Sequence, residues 1–235
     1  MATYCMSDIH GNYKKYIQML EKLQFSDNDT LYIIGDVIDR GNQSIKILQD
    51  MMLRPNVIPI IGNHEYMAAM CFPVLLTELT PENIGKLDAE KVRGVMEWLN
   101  VGGQSTTDEF HKLSAEGKQD IMEYLDEFSL YEEVSCGGKD FILVHAGLDN
   151  FREDRPLDDY SPAETLFHAP NYSRVYFSDK FLVTGHLPTY AIDGNPDKDY
   201  SIYRANNHIA IDCGCGFDGG RLGAICLDTG EGFYV

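Results

Sequence analysis

The first 65 residues constrain the fold more than any other stretch, because strand and helix patterns alternate and every strand runs into a polar, glycine-bearing cluster. Ala2 to Met6 reads as a short buried strand, and Asn12 to Leu23 carries Tyr13, Tyr16, Ile17, Leu20 and Leu23 at helical spacing. Thr30 to Ile34 is apolar and β-branched, a second strand. Gln43 to Leu53 returns to helix, with Ile45, Leu48, Met51 and Met52 turned inward. Val57 to Ile61, opened by Pro55-Asn56, is the third strand. This β-α-β-α-β order predicts an α/β fold with a parallel sheet covered by helices. Right-handed crossovers place the three strand exits on one edge, where ligands of open α/β sheets bind.

The remainder reads differently. Residues 66–129 are rich in helix formers, with Thr80-Pro81-Glu82 as a helix start and Gly102-Gly103 as a break, which predicts three or four helices inserted between strands. Tyr131 to Ser135 and Phe141 to His145 form a hairpin about Gly137-Gly138, and residues 149–173 form an acidic surface loop with one short helix. Phe181 to Thr184 is a strand. Tyr200 to Arg204, Ile209 to Asp212, Leu222 to Leu227 and Gly232 to Val235 are strands separated by turn residues, so the C-terminal third is expected to form an antiparallel sheet. No repeat or linker divides residues 1–235, which predicts one domain with the helical insertion at about 66–129.

Charge narrows the function. Lysine and arginine number 19 against 37 acidic residues, a net charge of −18 that disfavours a nucleic-acid or membrane partner. The N-terminus has neither a basic nor an apolar signal region, which predicts a cytoplasmic protein, and the six cysteines then read as thiols.

The chemistry lies at the strand ends. The first three give Ser7-Asp8-Ile9-His10-Gly11, Gly35-Asp36-Val37-Ile38-Asp39-Arg40-Gly41 and Gly62-Asn63-His64-Glu65. Two later strands end in Val144-His145-Ala146-Gly147 and Thr184-Gly185-His186-Leu187-Pro188. Four of the seven histidines fall in these clusters, which scattered surface histidines would not do. Oxygen and imidazole donors at five strand ends point to a binuclear site for divalent metals.

This ordered set resembles the phosphoprotein phosphatase family of calcineurin-like metallophosphoesterases. That family carries Gly-Asp-X-His-Gly, Gly-Asp-X-X-Asp-Arg-Gly, Gly-Asn-His-Glu, a His-Gly/Ala-Gly motif and a late Gly-His or Ala-His. The motifs run from Ser7 to Pro188, and the short length with His145-Ala146-Gly147 is similar to the small bacterial and phage serine/threonine protein phosphatases. The resemblance implies a β-sandwich flanked by helices and a metal-dependent phosphoric monoester hydrolase acting on phosphorylated proteins or small phosphoesters. Asp8 and His10 would hold the first of two divalent ions, and Asp36 would bridge both. Asn63, His145 and His186 would complete the second. Manganese is the expected metal, with iron or zinc as alternatives. His64, oriented by Asp39, would protonate the leaving oxygen after in-line attack by an activated water, and Arg40 would clamp the phosphate.

The chain departs from the family pattern at Ser7, which replaces a glycine, and at Cys213 and Cys215, where small residues are usual. It also lacks the usual Trp-X-Arg before the late histidine: the region reads Leu166-Phe167-His168-Ala169-Pro170, leaving Arg174 or His168 as the second phosphate-binding group. Cys215 and Arg221, with five residues between them, have the spacing of a cysteine-dependent phosphatase loop, but Asp218 and a following strand pattern argue for a hairpin turn. Trp98 reads as helix packing. Two rivals stand beside the protein phosphatase. One is a symmetrical bis(5'-nucleosyl)-tetraphosphatase, whose members usually carry alanine at the position of Asp39 and aspartate at that of Glu65. The other is a metal-binding scaffold without catalysis.

Overall fold

Among the described residues, ten strands form two five-stranded sheets. The structure, a computed structural model, describes residues 1–77, 88–195 and 199–235. The first sheet has the order β10-β9-β1-β2-β3 and is built from β1 (Thr3–Met6), β2 (Thr30–Ile34), β3 (Val57–Ile60), β9 (Gly223–Cys226) and β10 (Gly232–Tyr234). Here β1, β2 and β3 are parallel, and β9 and β10 close the edge antiparallel. The second sheet has the order β4-β5-β6-β8-β7, from β4 (Tyr131–Cys136), β5 (Lys139–Val144), β6 (Lys180–Thr184), β7 (Tyr203–Ala205) and β8 (His208–Ala210). Its central strands β5, β6 and β8 are parallel, with β4 and β7 antiparallel at the edges.

The alternation of side chains along β1 shows how the layers form. Cys5 points between the sheets, where Ile34, Ile60, Leu143, Val183, Ile209 and Ile225 bury their side chains. Met6 points to the opposite face and packs with Leu31, Ile33, Tyr16, Met19 and Leu48 beneath the helices. Those helices are α1 (Tyr13–Leu23) and α2 (Ser44–Met52). Asn12 caps α1 by accepting the Lys15 N–H at 3.1 Å. Met52, expected to face inward, is exposed, because the last turn of α2 directs Met51 to the core and its neighbour about 100° away.

The insertion comprises α3 (Asn63–Leu75), α4 (Ala89–Trp98), α5 (Gln104–Phe110) and α6 (Ala115–Asp126). Helix α3 starts three residues earlier than the boundary drawn at 66, so Asn63 and His64 lie in its first turn. The proposed start at Thr80-Pro81-Glu82 lies outside the described residues. Phe72 and Phe110 stack at 3.9 Å between centroids, and Trp98 meets Phe72 edge-on at 5.5 Å. The expected break is present as a π-helical segment, Leu99–Gly103, in which Gly102 has φ +123°. A side chain at Gly102 would run 2.8 Å from Arg40 Cγ, so glycine lets this break dock against the strand-exit loop. A short helix α7 (Pro162–Leu166) lies in the acidic loop, as expected.

The C-terminal third does not form one antiparallel sheet. Its two hairpins separate: β7 and β8 join the second sheet, β9 and β10 the first. Turn residues fix each hairpin locally, whereas the sheet each one joins is decided by pairing across the chain, such as Tyr4 with Cys226 and Val183 with Ile209. Among the described residues, no helix is long and apolar enough to cross a membrane.

Candidate metal centre

All six parallel strands end at one rim. The exits of β1, β2 and β3 deliver Asp8 and His10, Asp36 and Asp39, and Asn63 and His64; those of β5, β6 and β8 deliver His145, His186 and Asp212. The turns are tight enough to force left-handed backbone at non-glycine residues. Of the ten such residues described, six are Asp8, His10, Asp36, Asp39, Arg40 and His186, with φ between 47° and 71°. Clustering of this costly conformation at one rim marks a functional site. Gly185 permits the close approach of the sheets there: a Cβ on it would lie 1.8 Å from Ser7 Oγ and 2.3 Å from Asp8 Oδ2.

Asp36 is the centre. Its Oδ2 lies 3.8 Å from both His10 Nε2 and His64 Nε2, and its Oδ1 lies 3.4 Å from His145 Nε2. Two sets of donor atoms, His10–Asp36–His64 and Asp36–His145–His186, each fall within 4.8 Å of one another. Asn63 Oδ1 joins the second set, 2.9 Å from His145 Nε2 and 3.0 Å from His186 Nδ1. Asp8 borders the first, with Oδ1 4.0 Å from His10 Nε2.

Hydrogen bonding orients the rings. A carbonyl can only accept, so His10 Nδ1 donates to Ile38 O and His145 Nδ1 to Ile34 O, both at 3.0 Å. Each Nε2 is then left with its lone pair facing inward. Burial drives His10 down to about 3, holds His145 low, and with His145 nearby takes His186 to about 4, so these rings are neutral. Burial opposes charge on Asp36 too, but a proton on any of the imidazoles around it, His145 first and then His64, His10 and His186, favours its carboxylate, so its pKa falls below the usual range.

These residues fit divalent cations. Lone pairs face lone pairs across the cluster, and Asp8 Oδ1 is buried without a hydrogen-bond partner. Its other oxygen accepts from the Ser7 hydroxyl and, at 3.1 Å, from the His186 N–H. Burial, with Asp212 and Asp36 nearby, raises Asp8 well above a normal carboxyl, the strain that a bound cation relieves.

His64 is built differently. Its Nδ1 sits 2.6 Å from Asp39 Oδ2, and its Nε2 is 3.4 Å from the Arg40 guanidinium. Burial works against its imidazolium, yet Asp36 and Asp39 outweigh it and raise the pKa. Asp39 itself is fully buried and saturated: Trp98 Nε1 donates to Oδ2 at 2.7 Å and Thr106 Oγ1 to Oδ1 at 2.5 Å. Trp98 is therefore more than packing. A buried indole N–H needs an acceptor, which was the available signal, but the acceptor lies 59 residues away in sequence. Thr106 gave no sequence signal.

Glu65 is also more than a motif letter. Its carboxylate accepts the N–H groups of Asp36, Val37, Ile38 and Gly62 at 2.8–3.1 Å. It ties the β2 and β3 exits together, although burial and Asp36 push it up to about 7. Loss of that carboxylate would leave four buried donors unpaired, at about 1–3 kcal/mol each.

Arg174 stacks on two aromatic rings. Its guanidinium lies over Phe151 and Tyr176, at 4.8 and 5.4 Å from their centroids. It shares with His168 a cavity of about 480 Å³ whose lining contains none of the cluster donors. Cys213 and Cys215 are buried thiols, and all six cysteines are unpaired. Burial takes Cys215 up to about 12, far from a reactive thiolate. The residues after Cys215 form turns rather than a helix. A gap of about 410 Å³ at the strand starts, lined by Lys139, Phe141, Phe181, Arg204 and His208, includes none of the strand-exit donors.

Paired sheets that gather imidazoles, carboxylates and a carboxamide at their strand exits have the layout of a metallophosphoesterase. The calcineurin-like phosphoesterase family matches residues 1–214, and the chain belongs to that family. Similar curated proteins are symmetrical bis(5'-nucleosyl)-tetraphosphatases. The protein of Acidovorax sp. (strain JS42) is 27% identical over 183 residues, 77% of this chain and 53% of the relative. That of Delftia acidovorans is 32% identical over 102 residues, 42% of this chain and 36% of the relative. The chain thus spans about half the length, or less, of these relatives. Among solved structures, one ascribed to a diadenosine tetraphosphatase superposes with TM-score 0.66 at 17% identity, covering 99% of this chain and 92% of that one. A protein serine/threonine phosphatase from Saccharomyces cerevisiae gives 0.60 at 14%, covering 100% and 80%. At such identities these likenesses establish the fold, a two-sheet sandwich flanked by helices.

Proposed function

We propose that the chain hydrolyses phosphoesters with two divalent metal ions, held by Asp8, His10 and Asp36 on one side and by Asp36, Asn63, His145 and His186 on the other. The observation that carries this reading is Asp36, whose two carboxylate oxygens face two separate donor sets. When bound, such ions lower the pKa of a shared water and neutralise phosphoryl oxygens. Arg40, beside His64, clamps the phosphate. His64 passes the proton on Nε2 to the leaving oxygen, while Asp39 holds Nδ1 and fixes the ring. Trp98 and Thr106 keep Asp39 in place by occupying both of its oxygens.

Two substrate classes follow from different observations. The curated relatives favour a symmetrical dinucleoside tetraphosphate, and this is the reading we adopt. The aspartate at Glu65's position that marks such relatives carries less weight, since Glu65 braces backbone and reaches no open part of the site. The second reading, a phosphoserine or phosphothreonine monoester, is favoured by the buried His64–Asp39 pair. An alkoxide leaving group depends heavily on that proton, whereas a nucleoside diphosphate, a better leaving group, gains less from it.

One panel separates them. With manganese added, we expect diadenosine tetraphosphate to be cut to ADP with kcat/KM at least about tenfold above that for a phosphoserine or phosphothreonine peptide. The opposite ratio would support the monoester reading. No turnover of either, nor of p-nitrophenyl phosphate, would support a scaffold without catalysis.

A further inference from the structure

The gap at the strand starts lies at the opposite end of the sheets from the metal centre, and the reaction above does not use it. Its volume of about 410 Å³ falls within the range of small-molecule sites, roughly 300–1,000 Å³. Strand alternation decides which side chains face it. Phe141, Phe181 and Ile209 come from β5, β6 and β8 of one sheet, and Ile225 and Leu227 from the end of β9 in the other. All five pack in the apolar layer between the sheets. His208 turns to the other face, where it stacks on Tyr172 at 4.8 Å between centroids. The walls are also fixed. Phe141 and Phe181 stack at 5.6 Å, and the β7–β8 turn is held by Asn206 Nδ2 donating to Tyr172 O at 2.9 Å and Asn207 Nδ2 to Phe177 O at 3.1 Å.

The charges at this cavity are positive. Arg204 pairs with Ile209 across β7 and β8, and its Nη2 donates to Gly230 O at 2.9 Å, so the guanidinium reaches from one sheet to the turn of the other. Lys139 shares the face of Phe141 on β5, with Nζ 5.6 Å from the Phe181 centroid. Among the described residues, neither cation has an ion-pair partner within 4.0 Å, and no acidic side chain lines the cavity. The acids next to it in sequence are engaged elsewhere, Asp140 by Ser135 Oγ at 2.5 Å and Asp228 by the Thr3 N–H at 2.7 Å. In a chain with 37 acidic and 19 basic residues, two unpaired cations beside an apolar cavity reverse the prevailing charge and favour an anion there.

We propose that the cavity binds a free medium-chain aliphatic carboxylate, its chain between the two sheets and its head group on Arg204, with Lys139 adding positive charge on the far side. A guanidinium matches the planar fork of a carboxylate. A methylene chain has no polar group that needs a partner, whereas the N–H groups of a peptide would be buried against phenylalanine, isoleucine and leucine without acceptors. The net charge of −18 opposes an anionic bilayer, which leaves the free molecule as the ligand.

Calorimetric titration of the manganese-loaded protein with decanoate below its micellar concentration, in the presence and absence of inorganic phosphate, tests it. Wild type is expected to bind one decanoate per chain, with octanoate about tenfold weaker, the worth of two buried methylenes. Decyltrimethylammonium, of the same chain length and opposite charge, should bind at least about tenfold more weakly than decanoate. Arg204→Gln should lower decanoate affinity about fivefold or more while leaving 1-decanol unchanged, and Lys139→Gln should act in the same direction to a smaller extent. Both side chains are exposed, so neither change disturbs the core. Phosphate should leave decanoate binding intact, because the metal centre is at the other end of the strands. No saturable binding, equal affinity for the cationic analogue, or an affinity unmoved in both variants would overturn the site. Displacement of decanoate by phosphate would move the carboxylate to the metal centre and overturn it as well.

Discussion

Asp36→Asn is expected to lose bound metal and turnover together. A carboxamide keeps the shape of the side chain but offers one neutral oxygen where two charged ones faced His10, His64 and His145. Both ions are weakened at once, whereas loss of His186 or Asn63 touches only one set. The same charge also faces a ring of imidazoles, so its removal leaves no anion between the two donor sets. Metal analysis of the purified variant alongside a phosphatase assay checks this. Two full equivalents of metal in Asp36→Asn would contradict the bridging role.

His64→Asn is expected to behave in the opposite way, keeping its metal while kcat falls by about 10²–10⁴, the usual worth of a general acid. The fall should be smaller for aryl phosphates, whose leaving groups need little protonation, than for alkyl phosphates. Asp39→Asn should give a weaker version, because Asp39 acts only through the His64 ring at 2.6 Å. Rates on a matched aryl and alkyl pair decide the matter. Equal losses on both would assign His64 to metal binding instead, a role its Nε2 position 3.8 Å from Asp36 Oδ2 also allows.

The rim of the site was legible in the sequence because each donor follows directly on an apolar strand, where glycine and aspartate already signal a turn. Asp8, His10, Asp36, Asn63, His145 and His186 could be gathered that way, since parallel strands share one exit edge. What holds the acid in place could not. Trp98 and Thr106 reach Asp39 from the helical insertion, 59 and 67 residues along the chain, and local pattern carries no such pairing. Glu65 was visible, but its four backbone partners belong to loops whose left-handed turns appear only in three dimensions. The C-terminal hairpins show the same limit. Asn206-Asn207 and Thr229-Gly230 announce turns, yet nothing local tells β8 to run parallel to β6 or β9 to pair with β1. Arg174 stands in the sequence as a cation ahead of the late histidine, and its contacts with Phe151 and Tyr176 are ones that local pattern does not show.

In the proposed reaction a metal ion, rather than a thiolate, would activate the attacking group. Chelation of wild type and of Cys215→Ser tests it most directly. Cys215 is buried, its thiol donates to Ile9 O, and burial takes its pKa to about 12, so serine there should leave turnover near wild type. Exhaustive chelation should abolish turnover in both proteins, and added manganese should restore it in both. A folded Cys215→Ser protein without activity, together with wild-type turnover that survives chelation, would contradict the account.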